Sequence, residues 1–211
     1  MNCPCDRFSG PRQDRVPNST EGSSLERRFP RLRRGYYCLL EGNGNEFQFS
    51  PGDYTDQSHR NPIYSCYGWA VGDTTGDITE QVIVERYGER HYSGEDSIRM
   101  TDLYAFYSQH GFPDTRRSAS ADIIIYGTGE VPKHAARKSS IQCEGGRMYT
   151  SKLGNRGPLI AHLPHQLEGG VYGNIMGWFT ASSADYRRFR TEPLEDLTRE
   201  GRRRASRRPP R

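Results

Sequence analysis

The chain has 211 residues, of which only 33% are hydrophobic, and a mean hydropathy of −0.91. No apolar run nears the roughly 20 residues needed to cross a bilayer, so a membrane-spanning helix is excluded. The net charge of +4 is partitioned: residues 1–34 carry +4, residues 187–211 carry +6, and the segment between them is acidic at −6.

Both ends are rich in Arg, Ser and Pro without apolar periodicity. They are expected as disordered basic arms, 1–34 and 182–211, flanking one domain at 35–181. About 150 residues suffice for one core. The first residues hold no apolar stretch of a secretory signal, which predicts a cytoplasmic protein or export by a non-classical route. Five cysteines (3, 5, 38, 66 and 143) are too few and too scattered for a disulfide scaffold. A fold that does not need bridges is expected, in keeping with a reducing compartment.

In chain order, YYCLL at 36–40 suggests an opening strand. YSCYGWAV at 64–71 mixes aromatics with small residues, as a helix start buried against a sheet does. In TDLYAFYSQH, Leu103, Phe106, Tyr107 and His110 fall at i, i+3, i+4 and i+7. That spacing predicts a helix over 101–110, capped by Thr101 and stopped at Gly111. DIIIY at 122–126 reads as a buried strand bounded by Gly127 and Gly129. Strands are expected at 131–138 and 147–152, joined through CEGG, and a last one at 171–180. Helices first and strands after them argue for α+β with an antiparallel sheet.

Chemistry concentrates at Cys66 and His134. A helix beginning near Ser65 places Cys66 in its first turn, where unpaired backbone N–H groups favour a thiolate nucleophile. The competing reading of Cys66 is a small buried hydrophobe. His134, after a Gly-rich turn, has Pro132 and Ala136 as same-face neighbours, which leaves room beside its ring. A neutral imidazole within reach of a thiol takes its proton. The competing reading is an ordinary strand histidine. His162 and His165 in AHLPHQ read as a loop without a ligand role, because Pro164 spoils a helical pair. Asp73 and Asp77 lack the spacing of a calcium loop. GTG at 127–129 opens a strand and so is a turn, not a dinucleotide fingerprint. Trp69 and Trp178 are expected in the core. No cofactor and no metal are implied.

A cysteine at a helix start followed some 70 residues later by a strand histidine resembles the chain order of papain-like cysteine enzymes. The stretch from Cys66 to Phe179 is similar to their compact members, the NlpC-type and CHAP-type amidases. The likeness rests on Ser65-Cys-Tyr-Gly-Trp-Ala70, on Lys133-His-Ala-Ala136 and on Tyr149-Thr-Ser-Lys-Leu-Gly154. It also resembles a set of uncharacterised bacterial domains with Cys-x-Gly-Trp-Ala, His-Ala-Ala, Ser-Lys-Leu-Gly and a late Tyr-Gly, here Tyr172-Gly173. The resemblance implies a papain-like α+β fold with N-terminal helices packed on an antiparallel sheet. It implies hydrolysis or transfer at an amide or acyl bond of a protein or peptide substrate. Cys66 is then the nucleophile and His134 the base. The family's third polar residue falls on Ser151 or Asn155, neither of them an acid. A hairpin over 131–152 sets Ser151 roughly opposite His134, and Asn61 or Gln57 are candidates beside the Cys66 N–H for an oxyanion hole. The alternative is a non-catalytic interaction module of the same fold whose basic arms make the contacts. Nucleic acid is a partner only through those arms, since the acidic middle repels phosphate.

Overall fold

The computed structural model describes residues 20–41, 64–93, 97–113, 115, 121–143, 146–154 and 157–182. Its frame is one six-stranded antiparallel sheet: β1 (Cys38–Glu41), β2 (Ile123–Thr128), β3 (Val131–Cys143), β4 (Gly146–Lys152), β5 (Leu159–His162) and β6 (Asn174–Phe179). The strand order is β1-β5-β4-β3-β2-β6. Among the described residues four α-helices accompany it: α1 (Thr20–Arg28), α2 (Cys66–Val71), α3 (Glu80–Arg86) and α4 (Met100–Gln109). The α+β class with an antiparallel sheet is thus present. Among the described residues no helix is long and apolar enough to cross a membrane.

Strand alternation sends successive side chains to opposite faces, and each face has its own core. Ile123 and Ile125 of β2 and Ala135 of β3 share one with Cys66, Tyr67 and Ala70 of α2 and with Leu103, Phe106 and Tyr107 of α4. Ile124, Tyr126 and Ala136 share the other with Leu25, Phe29 and Leu32. The sheet is therefore sandwiched, with α2 and α4 on one side and α1 with a 3-10 turn (Pro30–Arg34) on the other.

The N-terminal arm needs a correction. Residues 20–34 were expected to be disordered, yet Leu25, Phe29 and Leu32 are all fully buried. Their i, i+4, i+7 spacing is a helix-face repeat embedded in an Arg- and Ser-rich stretch, and burial of those three side chains outweighs the surrounding polarity. The Arg33–Glu26 and Arg31–Glu168 ion pairs fasten the segment, the latter at 2.9 Å. Residues 1–19 and the Arg-rich 183–211 lie outside the described residues.

Local boundaries follow from capping. The predicted helix at 101–110 begins one residue earlier. Asp102, not Thr101, meets an orphan donor, accepting the Arg99 backbone N–H at 2.8 Å. Gly111 ends it in the left-handed region at φ +90°. Strand β3 runs to Cys143, beyond the expected 138. A second correction concerns sulfur. Cys38 and Cys143 are disulfide-bonded, against the expectation of a fold without bridges. Among the described residues only Cys66 is free.

Candidate functional site

The site starts from α2. Ser65 caps it: its Oγ accepts the Gly68 N–H at 2.9 Å and donates to the Ile78 carbonyl at 2.6 Å. Gly72 closes the helix at φ +88°. Trp69 pins the helix to the sheet, its Nε1–H donating to Thr150 Oγ1 at 3.1 Å. These contacts hold Cys66, the first residue of α2, against β3.

Cys66 is buried, with 8% exposure. Burial pushes its thiol up to about 12; the backbone N–H of Ala135 opposes that, and the Glu80 carboxylate adds to it. The helix start was expected to favour the thiolate, but the withdrawal of solvent outweighs it. Around the sulfur stand phenols whose ionisation it disfavours, those of Tyr67, Tyr107 and Tyr172. The hydroxyls of Tyr67 and Tyr107 are buried without a hydrogen-bond partner among the described residues.

His134 lies directly across the ladder from Tyr126. It is fully buried. Its ring stacks on Tyr172 at 4.0 Å between centroids and 3° between planes. Neither ring nitrogen has a hydrogen-bond partner among the described residues, so the imidazole and the Cys66 thiol are not bonded to each other. Burial holds His134 well below its ordinary pKa, and the charge of His162 adds to that. By strand alternation His134 points to the α1 face and Ala135 to the α2 face. Cys66 reaches β3 through the Ala135 N–H, one residue from His134.

Ser151 is held elsewhere than expected. The β3–β4 register pairs Arg137 with Thr150 and Lys138 with Tyr149, and Ser151 pairs with Ile160 of β5. Ser151 Oγ instead meets His162 Nε2 at 2.7 Å. Asn155, Asn61 and Gln57 lie outside the described residues.

His162 was read as part of a loop. It is the last residue of β5, fully buried. Pro164, the residue that argued for a loop, begins a 3-10 turn just beyond it. Burial lowers its pKa to about 4 against a raising bond to the Leu163 carbonyl, and His165 lowers it further. The signal that could have found it is LIAH itself, four buried positions in a row. Tyr172, the cover of His134, was legible only as one half of a Tyr-Gly motif.

Asp73 and Asp77 are tied into a turn by Thr75, whose Oγ1 bonds both carboxylates at 2.7 and 2.8 Å. Among the described residues no group of three or more His, Cys, Asp or Glu could hold a metal ion. Trp69 is buried in the core, and Trp178 packs part-buried against the α1-side core.

Comparison with curated proteins gives no match, and comparison with solved structures gives none either. A family model described as a domain of unknown function, DUF7689, matches residues 54–180, which take in α2, α3, α4 and every strand but β1. That match covers more than half of the chain and both Cys66 and His134, and the chain therefore belongs to this family.

Proposed function

We propose that the domain is a papain-like thiol hydrolase or transferase acting on an amide or related acyl bond of a protein or peptide, with Cys66 as nucleophile and His134 as base. One observation carries the reading. His134 is fully buried with both nitrogens unpartnered, on a strand whose next backbone N–H bonds the free thiol. Buried polar atoms without partners cost stability, about 1–3 kcal/mol each. A purely structural position at this packing would be better filled by an apolar side chain. A group retained at that cost beside a free thiol is what a proton acceptor for that thiol requires.

The chemistry is as follows. His134 takes the Cys66 proton. The thiolate attacks the carbonyl carbon, forming a C–S bond and placing the electron pair on oxygen. As that pair returns, the bond to the leaving nitrogen breaks and the imidazolium delivers its proton to it. Water, or another acceptor, then cleaves the thioester with His134 again taking the proton. In the arrangement described, the two groups are closed off from solvent and lie toward opposite faces of β3, so proton transfer between them requires α2 and β3 to rearrange.

A second reading, a non-catalytic interaction module of the same fold, is favoured by the burial of Cys66 and the upward push on its thiol. Residue-resolved alkylation separates the two. The full chain is treated with iodoacetamide under non-reducing conditions across pH 6–11, and the Cys66 peptide is quantified by mass spectrometry. The enzyme reading expects an inflection below about 8.5, the value of an unperturbed thiol, which moves upward in His134→Ala. Labelling that rises only toward the raised value of about 12, indifferent to His134, overturns it in favour of the module.

A further inference from the structure

We infer that, whatever the chemistry at Cys66, two copies of the chain join through β6 and the adjoining face of α4, with β6 pairing antiparallel to β6 of the copy.

The sheet ends at β6, beyond β2, so among the described residues β6 has no strand partner on its outer side. Natural edge strands are kept apart by short length, charge, proline or bulges. The opposite edge strand, β1, has only four residues. Strand β6 has six, NIMGWF, with neither charge nor proline. It does carry a bulge, Met176 standing between the paired residues Ile175 and Gly177. Ile175, Met176 and Trp178 stay only half-buried, whereas the neighbouring β2 is buried along nearly all its length.

Helix α4 lies along the same edge. The Tyr104 ring meets Phe179 of β6 with 5.5 Å between centroids. The Met100 methyl lies over Gly177, where an added Cβ would stand 2.7 Å from it. Outward, α4 presents Thr101, Tyr104, Ser108 and Gln109, with Tyr104 42% exposed. The ten residues of α4 and the six of β6 hold one charged side chain, Asp102, which is buried and paired with Arg90. At the chain's 27% charged share, about four of the sixteen would be charged. A strip depleted of charge and supplied with Tyr, Met and Trp has the composition of an interface core.

The occupant follows from charge and symmetry. An uncharged strip offers no complement to an acidic or basic partner, but it meets its own image without repulsion. A two-fold axis at the strand edge sets each patch against itself. It also puts both copies of α4 on one face of the joined sheet, so that Met100, Tyr104 and Met176 are covered along with the strand. An extended peptide would pair with the backbone and leave Tyr104 uncovered. The chain's own residues 187–211 carry +6, a poor match for an apolar strip.

Sedimentation velocity on the full chain tests this, with Cys3→Ser and Cys5→Ser so that the tail thiols cannot link copies. Between about 1 and 100 μM the mass should rise from 24.1 kDa toward twice that value. A monomer throughout overturns the inference. Met176→Lys and Tyr104→Lys bring like charges together and should each weaken association by about tenfold or more. Tyr36→Lys, at an exposed tyrosine before β1, should leave it unchanged. A dimer that neither Met176→Lys nor Tyr104→Lys weakens has its contact elsewhere and overturns the inference. Amide hydrogen exchange of 174–179 should slow at concentrations where the dimer forms; rates that do not change with concentration overturn it. A monomer whose 174–179 amides are protected has the edge covered by its own chain, which also overturns the second copy. Mass and exchange of the parent chain decide the matter even where a variant does not fold.

Discussion

Replacing His134 by Phe should stabilise the protein, and increasingly so in mild acid. The ring stacked on Tyr172 is kept by Phe, while two buried nitrogens without partners are removed. Relief of an unsatisfied buried group is worth about 1–3 kcal/mol at neutral pH. The acid contribution is separate. Burial, with the charge of His162, holds the folded-state pKa of His134 well below its ordinary value of 6.5. A depressed folded pKa means that the unfolded chain binds the proton first. The stability tied to the neutral ring is thus present above pH 6.5 and lost as pH falls below it. Each unit below costs wild type up to about 1.4 kcal/mol through this one group. His162 is depressed in the same direction but is present in both proteins and cancels in the difference. Between pH 6.5 and 5 the gap between variant and wild type should widen by up to about 2 kcal/mol. The assay is urea unfolding at pH 7.5, 6.5 and 5, followed by circular dichroism and read at constant m-value. His134→Leu controls for overpacking by the larger ring. If both variants are less stable than wild type at every pH and the gap does not widen, the imidazole has partners in solution and the reasoning from an orphaned ring is refuted.

Two further outcomes follow from the contacts around α2 and from the sulfur chemistry. Thr150→Val removes the acceptor of the Trp69 indole N–H and strands a buried donor, for a loss of about 1–3 kcal/mol in urea unfolding. Trp69→Phe in the Thr150→Val background should cost less than the sum of the two single changes. Reducing the chain should lower stability by about 2–5 kcal/mol, because Cys38 and Cys143 are disulfide-bonded; unfolding midpoints unchanged by a phosphine reductant would contradict this.

Elements whose local signal is self-sufficient were legible in the sequence. The i, i+3, i+4, i+7 stripe of 103–110 with Gly111 after it has one reading, and so does the apolar run at 122–126. Helix α1 and the 3-10 turn after it were missed because only three apolar side chains, Leu25 of α1 with Phe29 and Leu32 just beyond it, face the core, in a segment whose composition is that of a solvated tail. Helix α3 was missed although Thr79 caps it, accepting the Val82 N–H at 3.2 Å; at seven residues it is too short for a period to stand out. Strand β5 has four residues, and the proline after it argued for a loop. At the site, Cys66 and His134 were found from residue type and order. Their relation was not, because it depends on which face of β3 each side chain takes and on how α2 packs there, and residue order fixes neither. Sequence spacing set Ser151 opposite His134, whereas its hydroxyl meets His162 of β5. The bonds of Cys38 and Cys143 were beyond reach, since cysteine connectivity does not follow from spacing.

Strand β1 and helix α1 both precede the stretch that matches the family, and this bears on where the chain can be cut. Strand β1 closes one edge of the sheet by pairing with β5. A fragment confined to residues 54–180 would leave Leu159–His162 as a new edge, a strand buried along its whole length and lacking the charges that keep exposed edges apart. It would also uncover the face that Leu25, Phe29 and Leu32 seal. Such a fragment should self-associate through backbone pairing at β5, whereas a chain begun at residue 20 keeps both the edge guard and the cover. The smallest autonomous folding unit is thus longer than the family it carries, and its N-terminal portion acts as an insulator between the sheet and its neighbours.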